Sequence, residues 1–453
     1  MKELLITSLL GIAILAFDII KLRKAVFPII ILGLLASIGS CVIDWNMNEN
    51  PFNNNMLLMD NYALAFTAIL SSVALIWFLL TSDHFKQKEG AVDLYALVAF
   101  SLSGAVIMTS YTNMVMLFLG IEILSIPMYV LAASNKKSLL SNEAGFKYFF
   151  LGSMASAILL FGIALVYGAT GSFDLSGISA ALTTNGAGSM LSAGVLMILV
   201  AFAFKVSIAP FQFWTPDVYQ GAPTPITALM ATIVKAAGFA ALFRLFGTAF
   251  NSTIEYTTII IAVLAGLTLI VSNVLAAIQT NTKRLLSYSS ISHAGFMFAA
   301  LISINTMSPT VLMYYIIVYS IASLTSFIVL EQVASAQGGN EGFDAFKGLA
   351  KRNPVMAGAM TLSLLSMAGI PPLGGFMAKY FVISAMVDAG QIWLVIIMIL
   401  TSAVAVYYYL KIIIAMFTPI ENAGRIVVEK LQYFMFILFS VALIAAFFLA
   451  ALV

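Results

Sequence analysis

Apolar stretches recur along nearly the whole chain, separated by short polar breaks. They fall near 4–20, 25–43, 57–80, 91–109, 112–133, 144–169, 189–214, 223–247, 257–279, 285–304, 309–333, 354–387, 391–416 and 432–453. A helix needs about 20 mostly apolar residues to cross the hydrocarbon core of a bilayer, so the pattern predicts about fourteen transmembrane helices. The longest connections, around 44–60, 174–188 and 334–353, are too short for a soluble domain and read as ordered or partly helical surface loops.

The placement of Lys and Arg tests this division. Alternate connections hold Lys21, Arg23 and Lys24, then Lys86 and Lys88, Lys136 and Lys137 with Lys147, Lys283 and Arg284, Lys347, Lys351 and Arg352, and finally Lys411, Arg425 and Lys430. The connections between those carry Asp44, Glu49, Asp174, Glu255 and Asp388 without a base. A miscounted span would scramble the alternation. Basic loops stay cytoplasmic, which puts both termini on the outer side. The connection DVYQGAP lacks the base its parity calls for, and Lys2 and Arg244 are further exceptions.

Two spans are interrupted. KVSIAPFQFWTPDVYQGAPTP has Pro210 inside an apolar run, and SMAGIPPLGGFMAKY brings Pro371, Pro372, Gly374 and Gly375 together. Proline removes a backbone donor and clashes with the preceding turn. A broken helix at membrane depth is tolerated only where protein buries it or a hydrated cavity meets it. The breaks lie five spans apart, so the two segments cross in opposite directions, as in an inverted repeat with the ion path near the midplane. The predicted class is an all-α polytopic membrane protein with two inverted five-helix repeats. Its expected parts are a three-helix segment at 1–90, a first repeat at 91–250, a second, inverted repeat at 251–418, and a C-terminal helix at 419–453.

Composition agrees. Hydrophobic residues make up 62% of the chain and charged ones only 9%, with a mean hydropathy of +1.05, which excludes an ordinary soluble protein. The single cysteine, Cys41, excludes an intrachain disulfide framework, and two histidines exclude a histidine-rich metal cluster. The balance of 21 basic against 19 acidic residues gives no sign of nucleic-acid binding. The first apolar run leads into Lys21, Arg23 and Lys24 and lacks a small-residue cleavage site, so it reads as a retained span.

Against this background four ionisable residues stand out in the middle of apolar runs: Glu122, Lys205, Lys235 and Lys379. A charge at the bilayer centre costs about 2.5–3.5 kcal/mol on insertion scales, so it is rarely kept without a use. Glu122 has the plainer reading of a hydrogen bond to a neighbouring helix. Lys205 lies beside the first break, too far from either span end to snorkel easily. Lys379 follows the second break, where simple anchoring is its plainer reading. His293 lies within KRLLSYSSISHAGF, where Ser287, Tyr288, Ser289, Ser290 and Ser292 make a hydrated connection between Lys235 and Lys379. Alone, such a histidine reads equally as a packed polar residue. Asp60, Asp83, Asp93 and Asp388 sit near span ends and read as interfacial. One carboxylate and three buried amines suggest a path for protons or ions. The sequence has no Cys ligands for an iron–sulfur cluster, no flavin or nucleotide motif and no haem-ligand pair, so the chain is not expected to carry electrons.

FKVSIAPFQFWTPDVYQGAPTPITALMATIVKAAGFAALFRLF, NTKRLLSYSSISHAGFMF, AGIPPLGGFMAKYFV and LGIEILSIPMYVLAA together closely resemble the antiporter-like membrane subunits of respiratory complex I, the NADH–quinone oxidoreductase. The resemblance covers nearly the whole chain, which ends with its fourteenth apolar segment and lacks the long lateral helix of the largest such subunit. It implies a proton-translocating, non-redox subunit of a multi-subunit pump in a bacterial inner membrane. It implies that Glu122 and Lys205 form a pair, and that Lys235, His293 and Lys379 continue the proton path. It also implies that FMN, iron–sulfur clusters and quinone are held by partner subunits, and that other membrane-arm subunits pack against this chain. A subunit of a multi-subunit cation/proton antiporter or of a membrane-bound hydrogenase shares these features. A stand-alone solute transporter would need a polar pocket at the breaks, where Phe211, Phe213, Trp214, Leu373 and Phe376 are mainly apolar. A pure membrane scaffold leaves the buried charges without a use.

Overall fold

The computed structural model describes residues 1–47, 56–86, 90–186, 188–304, 309–420 and 424–452, so Glu49 and Lys88 of the charge pattern lie outside the described residues. In chain order the helices are α1 (Lys2–Ile19), α2 (Arg23–Ile43), α3 (Asn61–Lys86), α4 (Ala91–Ser110), α5 (Met114–Ala132), α6 (Leu139–Thr170), α7 (Leu175–Asn185), α8 (Ser189–Lys205), α9 (Trp214–Gly221), α10 (Thr224–Leu229) and α11 (Lys235–Gly247). They continue as α12 (Ile254–Ala277), α13 (Thr282–Ala299), α14 (Pro309–Ala336), α15 (Leu349–Arg352), α16 (Pro354–Ala368), α17 (Gly374–Asp388), α18 (Ile392–Phe417) and α19 (Lys430–Leu449). Among the described residues β-structure is limited to isolated bridges such as Asn113–Asp174 and Asn281–Gly342. The chain is all-helical.

Eleven helical stretches among the described residues are long and apolar enough to cross a membrane. Three of the fourteen apolar segments differ from that simple picture. Helix α1 carries Lys2, Glu3 and Asp18 among its 18 residues. The 189–214 run stops being helical at Lys205, and the 354–387 run is divided between α16 and α17. The proline and glycine clusters cause both interruptions. The connections read as partly helical contain α7 and α15.

Contacts divide the chain into two compact units. The first comprises 1–78, 82–206 and 233–258, and the second comprises 79–81, 207–232 and 259–453. In the first, α4 packs on α1, α5 and α11, and α6 packs on α5 and α8. Helices α6 and α8 cross at paired glycines. A Cβ on Gly162 would come within 3.0 Å of the Gly194 carbonyl oxygen, and one on Gly194 within 2.9 Å of the Gly162 oxygen. In the second unit α14 packs on α10, α16 and α17, and α13 lies against α9 and α14.

Side-chain caps start two of the helices that bear candidate residues, α5 and α13. Asn113 Oδ1 accepts from Val115 N at 2.9 Å to open α5, and Asn281 Oδ1 accepts from Arg284 N at 2.9 Å to open α13. Asn353 caps α16 ahead of Pro354, whose missing donor is harmless in the first turn. The stretches Thr224–Gly247 and Thr282–Ser303, which carry Lys235 and His293, are buried throughout their apolar windows. Helix α6 instead leaves Phe146, Phe149, Phe150, Met154 and Phe161 exposed, a surface suited to lipid.

Candidate proton-path site

In the first unit, Glu122 on α5 and Lys205 at the end of α8 each bond a serine. The Ser156 hydroxyl of α6 donates to Glu122 Oε1, and Lys205 Nζ donates to the Ser125 hydroxyl. Ser125 in turn donates to the Ile121 carbonyl. Residues 122 and 125 share one face of α5, being three apart. The expected acid–lysine pair is therefore anchored on two separate serines, without a direct ion pair or a shared hydroxyl between the two described side chains. Ser125 lies nearer the end of α8 and takes the ammonium, while Glu122 faces α6. Ser125, Ser156, Tyr129, Tyr148 and Lys205 line a cavity with room for a water molecule.

Lys205 ends α8 for a local reason. Val206 leaves the helix, and Ser207 adopts φ +68°, a conformation disfavoured for any residue with a Cβ. Ser207 is buried and its hydroxyl accepts from Thr215 Oγ1 at 2.7 Å. The Ala209 N–H, freed by the break, donates to Thr268 Oγ1 at 2.9 Å. The second break repeats the motif. Gly369 adopts φ +88° and is followed by Ile370 and then Pro372, as Ser207 is by Ile208 and Pro210. Each break has its freed backbone groups satisfied inside the protein, the condition for irregular backbone at membrane depth.

Lys235 opens α11 directly after a π-helical turn at Met230–Val234, and it is 2% exposed. Helices α8 and α11 pack together, so Lys205 and Lys235 belong to one unit. Farther along α11, Arg244 pairs with Asp60 and lies over the Tyr62 ring at 5.0 Å. That pairing explains an arginine that broke the charge alternation, and it gives Asp60 a partner in place of a plain interfacial position.

The second unit holds His293 and Lys379. His293 Nδ1 bonds the Tyr315 hydroxyl at 2.9 Å, with the Tyr319 ring 4.9 Å away. Lys379, 6% exposed, donates from Nζ to the Ala368 carbonyl at 3.0 Å and to Ser402 Oγ at 3.5 Å. It also sits over the Phe296 ring at 5.1 Å. Ala368 is the last residue of α16, so the ammonium faces the negative end of a helix dipole and a ring face, which together act as counter-charge.

Sequence reasoning placed Lys283 and Arg284 in a basic connection. The structure puts them in the first turn of α13, with Lys283 only 3% exposed. Its ammonium donates to the Gln220 carbonyl at 3.1 Å and the Ala222 carbonyl at 2.7 Å, and pairs with Glu341 at 3.2 Å. Arg284 holds Asp217 at 2.8 Å and Gln220 Oε1 at 3.0 Å. Lys283 caps the orphan carbonyls at the end of α9 and Arg284 binds side-chain oxygens of the same helix, which also explains how DVYQGAP manages without a base of its own. Replacing Lys283 with Met leaves the Glu341 carboxylate and two carbonyls without their donor. The loss is expected to be about 3–5 kcal/mol, the usual consequence of breaking a buried pair. A purified assembly carrying Lys283→Met should melt at clearly lower temperature than the parent. Equal melting would mean that this junction is not a stability determinant.

Other contacts of the site residues that sequence reasoning missed are Ser125, Ser156, Tyr315 and Tyr319, while Tyr408 bonds Asn273 in a separate group beside Tyr409. The run Tyr407–Tyr409 inside an apolar span was the one signal available. The serine partners were not distinguishable from the many serines in other spans.

The helix order, the two broken segments and the buried amines together define an antiporter-like transmembrane protein. A family profile described as "NADH:quinone oxidoreductase/Mrp antiporter, TM" matches residues 112–405. A protein of Cytophaga hutchinsonii described as NADH-quinone oxidoreductase subunit N is 42% identical over 424 residues, covering 93% of this chain and 91% of the relative. Respiratory complex I from Thermus thermophilus with bound aureothin contains a chain that superposes with TM-score 0.86 at 32% identity, covering 99% of this chain and 98% of that one. The Mrp complex from a Dietzia species shares the fold alone, with TM-score 0.86 at 19% identity over 100% of this chain and 95% of that one. This chain belongs to the family of NADH-quinone oxidoreductase subunit N.

Proposed function

We propose that this chain is a proton-translocating membrane subunit of an NADH–quinone oxidoreductase, carrying no redox group of its own. The observation that carries the proposal is the burial of Lys235 and Lys379, at 2% and 6% exposure, within a mostly uncharged helical protein. Each is a proton-bearing amine enclosed by apolar helices, which makes it a site for proton exchange. Protons enter from the side of the basic loops, reach Lys205 or Lys235, pass by His293 to Lys379, and leave on the opposite side. Glu122, held by Ser156, and Lys205, held by Ser125 on the same face of α5, act as the switch, biased by a neighbouring subunit of the membrane arm. In this reading FMN, iron–sulfur clusters and quinone belong to partner subunits. The protein spans a bacterial inner membrane with its basic loops in the cytoplasm and both termini outside. Moving one charge against the membrane potential takes about 2.3 kcal/mol per 100 mV, so the driving energy comes from redox chemistry in the partners.

Purification of a tagged form from native membranes tests the assembly. NADH-oxidising flavin and iron–sulfur subunits should co-purify, and vesicles should acidify on NADH addition. Co-purification with cation/proton antiporter subunits, and exchange without NADH, would replace this reading by the antiporter one. Glu122→Gln, which keeps the Ser156 contact but removes the charge, should lower acidification per NADH oxidised while electron transfer continues.

A further inference from the structure

The tyrosines of α18 make a second polar connection that the path above does not use. Tyr408 and Tyr409 are each 1% exposed and turn toward α12 and α13. The Tyr408 hydroxyl donates to Asn273 Oδ1 at 3.1 Å, and Asn273 Nδ2 donates to Ser292 Oγ at 2.8 Å. The Tyr409 hydroxyl bonds Ser289 Oγ. One turn further along α18, half-buried Lys411 donates to the Ala277 carbonyl at the end of α12 and lies over the Tyr407 ring at 4.7 Å. Lys411 and Tyr408 thus engage α12 one turn apart, at Ala277 and Asn273. Polar groups of α18 thus reach the end of α12 through Lys411, and the serines of α13 through Tyr409 directly and through Tyr408 by way of Asn273.

Serines inside a helix usually return their hydroxyl to the carbonyl one turn back. Ser287 does so, donating to the Lys283 carbonyl at 2.8 Å. Ser289 does not, and bonds across to Tyr409 instead, while Ser290 accepts from the Tyr319 hydroxyl at 2.8 Å. Either partner of the Ser289–Tyr409 bond can be the donor, so the bond can reverse its direction. A reversible hydroxyl pair is what a proton hop needs. Ser289 also precedes His293 by four residues, which puts both on one face of α13, about one 5.4 Å turn apart.

We propose that Tyr409 and Ser289 form a proton relay between the Lys411 end of α18 and His293, a second access branch confined to the second unit. In one step a proton arrives at the Tyr409 oxygen while the Tyr409 O–H proton moves to Ser289. The Ser289 proton passes through one water to His293, so both hydroxyls stay neutral and the charge of the arriving proton ends on the imidazole. Rotation of both hydroxyls resets the pair. Tyr408 and Asn273 are positioning residues, because an amide does not pass a proton on and the Tyr408 bond fixes α18 against α12. This branch rests on the proton-translocating reading above.

The test uses the assembled complex in membrane vesicles, reading acidification per NADH oxidised. Tyr409→Phe keeps the ring and its packing and removes the hydroxyl. It should lower the ratio by about twofold or more with assembly and melting unchanged, a modest share of what one positioned proton-transfer group contributes. Ser289→Ala should act alike, Ser289→Thr should restore the ratio, and Tyr408→Phe should keep it. Parental ratios in Tyr409→Phe and Ser289→Ala would overturn the relay, and Ser289→Ala decides alone if Tyr409→Phe fails to assemble. Lys205→Ala, measured alongside, separates the two ideas. Normal pumping in that variant removes Lys205 and the switch from the proton path, whereas its loss beside unaffected Tyr409→Phe and Ser289→Ala removes only the branch.

Discussion

Vesicles carrying Lys205→Ala should assemble the complex and fail to acidify through this subunit. Alanine suits the last turn of α8, so the backbone has no reason to change. What disappears is the ammonium bonded to Ser125, and with it the charge that Glu122 answers to across that serine. One positioned acid–base group is worth about 10²–10⁴ in the rate of a proton transfer, enough to take the step out of the turnover range. NADH-dependent quinone reduction, followed in the same vesicles, either continues uncoupled or slows because the coupled step is blocked. Acidification per NADH equal to the parent would make Lys205 a structural residue. Ser125→Ala should give a smaller loss, because the lysine stays but loses its hydroxyl partner.

A second large effect comes from a residue with no charge at all. Gly375 starts α17 so close to α16 that a Cβ there would overlap the Ser366 carbonyl, and its own N–H donates to Ser366 Oγ at 3.1 Å. A backbone carbonyl cannot rotate aside, so Gly375→Ala forces α17 away from α16. Overpacking of this kind typically costs about 1–3 kcal/mol. The shift also withdraws Lys379, one turn along α17, from the Ala368 carbonyl. Lower melting of the assembly together with reduced acidification is the expected result, although every ionisable group remains. Parental values for both would mean that the second break tolerates a wider separation than its geometry indicates.

These two residues illustrate what was legible beforehand. Lys205 announced itself, since a lysine deep in an apolar run conflicts with its surroundings and the conflict is visible one residue at a time. The breaks were legible for the same reason, because proline and glycine change the backbone locally. Ser125 and Ser156 were not, since a serine is common in transmembrane helices and only the helix packing decides which one meets a charge. Lys283 was read as a loop base because it stands next to Arg284 at the edge of an apolar run. Its burial depends on the chain around Gln220 and on Glu341, about 60 residues away on either side, which no local pattern reveals. The first break begins ahead of the proline that signals it, because Ser207 turns the backbone before Pro210 while the apolar character of the 189–214 run continues.

The burial of α13 bears on how the protein is made. Thr282–Ser303 is the least apolar of the spans, yet it is wholly enclosed, whereas the preceding α12 is among the most apolar and leaves Ile259, Val263 and Ile270 exposed. Insertion machinery sorts segments by their apolar character as they emerge. Helix α12 can settle in lipid on its own account, but a segment with Ser287, Ser289, Ser290, Ser292 and His293 is poorly suited to wait there alone. Its polar groups find partners on α12, α14 and α18, two of which are synthesised after it. The same residues that give this region its chemistry therefore make its entry into the bilayer a collective event, tied to the arrival of later helices.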